Sequence, residues 1–284
     1  MRQCEVSLPR PKQPTRQETD LDLRVLSVCH SELNKLQSQI IACKRCPRLI
    51  RYCRKVAREK RRRFQDEAYW GKPVPSFGDP AAKLLIVGLA PGAHGSNRTG
   101  RMFTGDRSGE FLYRALYEAG LANQPAALSP DDELQLHGCY ITAVLRCAPP
   151  QNKPRPDELR NCQPYLEEEL DLLTQVRAVL ALGRIAFDNY LRVVPQRSVR
   201  LQPDTGQAGR HSAATQLVEP AAFPPRSSFR FGHGANYQLP GGLPRLFASY
   251  HPSQQNTQTG RLTPEMFRQV LDDIREFLAG RARR

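Results

Sequence analysis

Four cysteines, a glycine-rich loop and an amide-rich loop are the residues best suited to chemistry in this chain. Cys43-Lys-Arg-Cys46 is a C-x-x-C, and Cys147 and Cys162 stand far downstream. Four thiolates in two pairs can close a tetrahedral S4 site. A lone C-x-x-C is as readily an incidental or redox pair, and spacing alone does not separate zinc from an iron–sulfur cluster. Cys4, Cys29, Cys53 and Cys139 read instead as tail or buried thiols. The loop from Gly88 to Gly100, Gly-Leu-Ala-Pro-Gly-Ala-His-Gly-Ser-Asn-Arg-Thr-Gly, lacks the G-K-[ST] of a Walker loop and the G-x-G-x-x-G of a dinucleotide site. Its glycines let backbone approach a ligand closely. The third segment, Tyr250-His-Pro-Ser-Gln-Gln-Asn-Thr-Gln-Thr-Gly-Arg261, offers amides and hydroxyls of the kind that contact phosphates and base edges.

The elements that must position these residues alternate. Short apolar runs at Leu84–Val87, Cys139–Val144, Val176–Leu182 and Leu246–Tyr250 read as buried parallel strands. Between them lie helical patterns: one capped by Ser108, one over Pro156–Leu173, a short one over Arg184–Leu191, and a last one begun by Thr263-Pro264. Two helices precede the first strand, Leu21–Ile41 and Pro47 to about Arg63. The second is amphipathic, with Leu49, Tyr52, Cys53 and Val56 opposite a row of arginines and lysines. Residues 1 to about 20 are polar and proline-bearing and predict a disordered tail. About 195–226 predicts a surface insertion. Strand–helix alternation specifies a parallel sheet covered on both faces, with the site at the carboxyl ends of its strands. Both unusual loops fall at that edge.

At 284 residues the chain can bury a sizeable core. Its net charge is +14, but Lys44–Arg63 alone holds eleven basic residues against Glu59, so this stretch sets the basic character. That density points to a polyanion, nucleic acid before membrane surface. No apolar run approaches the ~18 residues of a membrane span, and no secretory signal is visible. A cytoplasmic location and reduced thiols are expected.

The motifs Gly88-Leu-Ala-Pro-Gly92, Gly100-Arg-Met-Phe-Thr-Gly-Asp106, Arg146-Cys-Ala-Pro-Pro-Gln-Asn-Lys-Pro154, Phe231-Gly-His-Gly-Ala235 and His251-Pro-Ser-Gln-Gln-Asn256, in that order, resemble the family 5 uracil-DNA glycosylases, iron–sulfur members of the uracil-DNA glycosylase superfamily. The resemblance covers about residues 40–280 and leaves out the tail and the 195–226 segment. It implies a three-layer α/β/α sandwich around a four-stranded parallel sheet, with residues 21–284 forming one glycosylase domain. It implies a [4Fe-4S] cluster of structural role on Cys43, Cys46, Cys147 and Cys162. The implied reaction is hydrolysis of the N-glycosidic bond of uracil, and of other deaminated bases such as hypoxanthine and xanthine, leaving an abasic site for base excision repair. The partner is DNA, duplex or single-stranded, and the protein is expected to act as a monomer.

Chemistry then assigns roles. The base must be flipped out of the stack, and Phe103 is the expected platform, in a pocket with Gly88 and Ala90. Asn152 is expected to read the base edge, because the strand position where relatives carry Asn is Ala143 here. His251 is expected to stabilise negative charge on the departing base, as an oxyanion donor does. Most of the superfamily has an acidic residue in the first motif; this chain has Leu89-Ala90, as family 5 does, which leaves Asp106 as the nearest carboxylate to position water. Asp106 reads equally as a helix N-terminal carboxylate. His94 and Asn97 are weaker candidates. Ser253, Gln254, Gln255 and Asn256 are expected to contact DNA beside the lesion, with Arg58, Arg61 and Arg62 adding sequence-independent affinity. Lys44, Arg45 and Arg48 are expected to offset cluster charge. The missing first-motif carboxylate also motivates an alternative, a cluster-containing binder of damaged DNA without turnover.

Overall fold

Strand residues that are apolar at every position must be buried on both faces, and this chain satisfies that with helices on each side of one sheet. A computed structural model describes residues 16–200 and 223–280, with side chains described over 28–195 and 223–280. Helices α1 (Arg16–Ile41) and α2 (Pro47–Glu59) precede the sheet strands β1 (Phe77–Gly78) and β2 (Leu84–Gly88). There follow α3 (Ser96–Thr99), α4 (Arg107–Glu118), β3 (Cys139–Ala143), α5 (Pro156–Leu172), β4 (Ala178–Leu182) and α6 (Arg184–Arg200). The chain continues with β5 (Asn236–Tyr237), β6 (Arg245–Ser249), α7 (Gln254–Gln258) and α8 (Pro264–Leu278).

The strand order is β1-β3-β2-β4-β6-β5. β3, β2, β4 and β6 are mutually parallel and form the expected four-stranded centre. β1 and β5 add short antiparallel edges. Side chains alternate across the pleat. Leu84, Ile86, Ile141 and Leu180 pack beneath α4 and α8 with Leu112, Phe267 and Ile274. Leu85, Val87, Tyr140 and Val179 pack against α5 and α6 with Leu166, Leu170 and Phe187. Each such fully buried side chain is worth roughly 1.5–3 kcal/mol. A third core joins Leu36 and Ile40 of α1 to Leu49 and Cys53 of α2 and to Leu145, Cys147, Cys162 and Tyr165.

A polar network crosses this interior. Glu169 on α5 is fully buried and accepts from Arg146 (2.6 Å), Thr142 (2.6 Å) and Ser76 (2.5 Å). Removing one partner of such a buried pair leaves an uncompensated charge, which costs roughly 3–5 kcal/mol. Glu169→Ala is accordingly expected to lower stability by about that amount in chemical denaturation, and a loss below ~1 kcal/mol would refute the pairing as a structural element.

Several expected boundaries move. α1 begins at Arg16, so residues 16–20 are helical rather than tail; residues 1–15 lie outside the described residues. α2 ends at Glu59, not Arg63. Lys60 adopts a left-handed φ of 51°, and Arg62–Phe64 form a separate 3₁₀ turn. α6 runs through Pro195 to Arg200, so the expected insertion starts later; residues 201–222 lie outside the described ones. Asp106, not Ser108, caps α4, its carboxylate accepting from Gly109 N–H at 3.0 Å. No described helix is long and apolar enough to cross a membrane.

Candidate active site and cysteine cavity

The parallel strands deliver three loops to one edge. Gly88 ends β2 and lies in register with Ala143 at the end of β3. A Cβ on Gly88 would sit 3.0 Å from the Phe103 ring, so glycine lets that ring close over the strand end. Gly183 follows β4, and a Cβ there would lie 3.3 Å from His251 Cβ. Phe103 and His251 face each other, ring centroids 5.8 Å apart and planes 27° from parallel. Sequence reasoning placed both residues in the site, and the fold brings them together.

Phe103 holds a left-handed φ of 52°, a conformation that costs a non-glycine residue roughly 1–3 kcal/mol and persists only when its surroundings fix it. Two buried arginines do so. Arg101 forms a two-pronged pair with Asp132 (2.7 and 2.8 Å) and donates to Thr104 Oγ1. Arg98 pairs with Glu67, donates to the carbonyls of His94 and Gly105, and covers the Phe64 ring at 3.9 Å. The Tyr113 hydroxyl adds a bond to Met102 O at 2.7 Å. None of these anchors was identified from sequence, because their partners Asp132 and Glu67 are 31 residues away in each case.

His251 carries no buried counter-charge, and burial lowers its ring pKa to about 4. Its carbonyl accepts from Ser253 N–H (2.7 Å) and Asn256 Nδ2 (2.9 Å), while Ser253 Oγ caps α7. Ser253 and Asn256, expected as DNA contacts, therefore shape the loop; Gln254 and Gln255 are exposed. His233, which had no assigned role, bonds Ser249 Oγ and Tyr250 N–H at Nδ1 and Met266 O at Nε2. It ties the end of β6 to α8 one residue before His251. Its only sequence signal was the Gly-His-Gly motif.

Asp106 is held by glycine. A Cβ at Gly92 would come within 2.7 Å of its Oδ2, and a Cβ at Gly95 would overlap that oxygen outright. This enclosure raises its carboxyl pKa, against the lowering effect of the Gly109 and Ser108 amides. Gly95→Ala should therefore expel the carboxylate. The expected result is loss of the α4 cap, worth ~1 kcal/mol and read as a lowered melting temperature. An unchanged melting temperature would show that the carboxylate keeps its place.

Ala90 is half-buried and packs against the third core. Asn152 is exposed on a 3₁₀ turn with φ of 56°. His94 meets Tyr69 OH at 3.0 Å, and burial with nearby Arg61, Arg63 and Arg98 lowers its pKa. The Arg62–Phe64 turn borders the glycine loop, where Arg98 covers the Phe64 ring. Asn97 Nδ2 donates to Cys53 O and Ala93 O, and its buried Oδ1 has no partner among the described residues. Arg58, Arg61 and Arg62 are exposed.

Cys43, Cys46, Cys147 and Cys162 line one small cavity together with Leu145 and Arg146. Burial raises the Cys46 and Cys162 thiol pKa values, that of Cys162 to about 11. Asn161 Nδ2 donates to Cys46 Sγ at 3.7 Å. Arg146 is buried, with Nε unpartnered among the described residues. Cys53 lies outside the cavity lining, its thiol donating to Ala148 O at 3.7 Å. Among the described residues no three His, Cys, Asp or Glu side chains sit at single-ion spacing. Arg48, expected to offset cluster charge, is instead paired with Glu158 at 2.7 Å through two bonds, and Arg45 lies over the Tyr165 ring at 4.8 Å.

A doubly covered parallel sheet with an aromatic–imidazole pair at its carboxyl edge agrees with a match of residues 75–275 to the family model for the uracil DNA glycosylase superfamily. Among curated relatives, the type-5 uracil-DNA glycosylase of Thermus thermophilus is 50% identical over 241 residues, 85% of this chain and 95% of the relative. Those of Mycobacterium leprae (45% over 257 residues, 90% and 100%) and Pyrobaculum aerophilum (41% over 234 residues, 82% and 88%) agree. The chain belongs to the type-5 uracil-DNA glycosylases of that superfamily.

Proposed function

We propose that this chain hydrolyses the N-glycosidic bond of uracil in DNA, releasing the free base and leaving an abasic deoxyribose. The observation that carries the reading is the Phe103–His251 pair at the carboxyl edge of the sheet. The flipped base stacks against Phe103 in a pocket floored by Gly88. As the C1′–N bond breaks, its electron pair leaves with the base, and a water oxygen bonds to C1′. His251, neutral at pH 7, donates an N–H to the base oxygen on which that charge collects. Asp106 positions the water and accepts its proton. Asn152 reads the base edge from the exposed turn, with Ala143 leaving the strand position uncommitted. That arrangement favours acceptance of hypoxanthine and xanthine as well. Gln254, Gln255 and the exposed arginines Arg58, Arg61 and Arg62 contact the phosphates of duplex or single-stranded DNA.

The four-cysteine cavity fits a [4Fe-4S] cluster. Four thiols from three segments line it, the donor set that thiolate-bound iron–sulfur centres use. The unpartnered Arg146 Nε beside them suits an anionic group. When bound, the cluster supplies cross-linking among α2, the β3 loop and α5.

The test is a duplex oligonucleotide with one uracil, incubated in EDTA and cleaved with alkali to reveal abasic sites. Hypoxanthine, xanthine and single-stranded versions run beside it. Strand cleavage at uracil is expected; binding without abasic product would establish the non-catalytic alternative.

A further inference from the structure

A second basic surface lies on the far side of the site from α2. Arg184, at the start of α6, and Arg226 and Arg230, in the segment before β5, line an open groove with Phe229, Phe231 and Asp188. Asp188 is the one acidic side chain among the described residues lining it, and it is already engaged. Its carboxylate is 3.6 Å from Arg184 Nε, and its carbonyl accepts from Arg226 at 3.0 Å. Arg184, Arg226 and Arg230 are all exposed.

Three arginines beside half-buried aromatic rings form the combination that tracks a nucleic-acid strand, with charge for phosphates and rings for bases. The groove is also continuous with the site. Arg184 directly follows Gly183, which abuts His251. Phe231 lies 6.1 Å from the Tyr250 ring, one residue before His251. The Arg61–Arg63 turn borders the loop after β2, whereas this groove borders those after β4 and β6, so the Phe103–His251 pair sits between two positive surfaces.

We propose that the Arg226–Arg230 groove holds the sugar–phosphate backbone of the substrate DNA on one flank of the lesion. The inference rests on the glycosylase reading and adds a direction to it: the groove serves nucleotides on one side of the flipped base only.

The experiment uses a 30-base-pair duplex with a central tetrahydrofuran abasic analogue, and two versions cut back to four base pairs on the 5′ or the 3′ side. Fluorescence anisotropy gives affinity from 50 to 300 mM NaCl. Losing two phosphate contacts should make the log–log salt slope of an Arg226→Gln/Arg230→Gln variant shallower by ~1.8 on the long duplex, with affinity ~tenfold weaker at 0.1 M NaCl. The deficit should vanish on one truncated duplex and persist on the other. A variant with the same charge change at the amino-terminal edge of the sheet, Lys83→Gln/Arg177→Gln, whose exposed side chains directly precede β2 and β4, should keep the wild-type slope. An unchanged slope in the groove variant would overturn the proposal, as would an equal loss on both truncated duplexes or in the control variant. Wild-type protein failing to release uracil from the matching duplex would count against the glycosylase reading alone, and the slope comparison would still stand.

Discussion

His251→Ala is expected to slow single-turnover excision of uracil by about 10²–10³-fold, the usual cost of deleting one donor aimed at developing negative charge. Binding to an abasic-analogue duplex should change far less, because the interaction forms as charge reaches the base and is weak before. Variation of pH separates this role from packing. Burial holds the ring at about 4, below the ordinary 6.5, so it is neutral at pH 7. The sign follows: the unfolded chain takes up a proton at higher pH than the folded one. The stability tied to this ring is therefore complete above pH 6.5 and is lost as pH falls toward 4. His251→Gln retains an N–H donor without a titrating charge. It should recover much of the rate and flatten the acid loss of stability between pH 6.5 and 4. Excision by His251→Ala within threefold of the wild type would remove the ring from the reaction.

The central strands were legible because runs of five residues that are apolar throughout, or broken only by Thr142 in β3, have few fates other than a doubly covered sheet. The edge strands β1 and β5, two residues each, are too short to leave a pattern. The end of α2 was not legible: Lys60 turns left-handed without the glycine or asparagine that ordinarily announces it. Pro195 misled in the opposite sense, since a helix usually stops before proline, and α6 continues through it. Asp106 and Ser108 are both good caps two residues apart, and only the backbone decides between them.

Within the site, Phe103 and His251 stood out because they occur in loops without hydrophobic period, where packing gives no reason for an aromatic or an imidazole. Their supports were hidden. Arg98 and Arg101 drew no role from the sequence, yet both are buried and take carboxylates from distant segments. A buried arginine acquires meaning only from its partner, and a long-range partner is what one sequence conceals.

Cys162→Ala should produce the second large effect, loss of the centre together with loss of order around α2. That helix buries only Leu49, Cys53 and Val56 along thirteen residues, so its own apolar face is a narrow anchor. Its first turn follows Cys46, and the cavity there is closed by Cys162 from α5 and Cys147 from the β3 loop. A cluster held by those four cysteines would fix the helix start, and Asn97, bonded to the Cys53 carbonyl, links that helix to the glycine loop that encloses Asp106. Purified wild-type protein is expected to be brown, with close to four iron atoms per chain for a [4Fe-4S] centre. The variant should lose most of its iron, unfold at lower temperature and excise uracil slowly. Cys53→Ala is the discriminating companion. Cys53 is a fifth thiol, buried beside the site but bonded to Ala148 O and outside the cavity lining, so that variant should keep its colour and iron. A colourless wild-type protein carrying one zinc would overturn the cluster, and a Cys53→Ala protein without iron would overturn the choice of which four cysteines hold it.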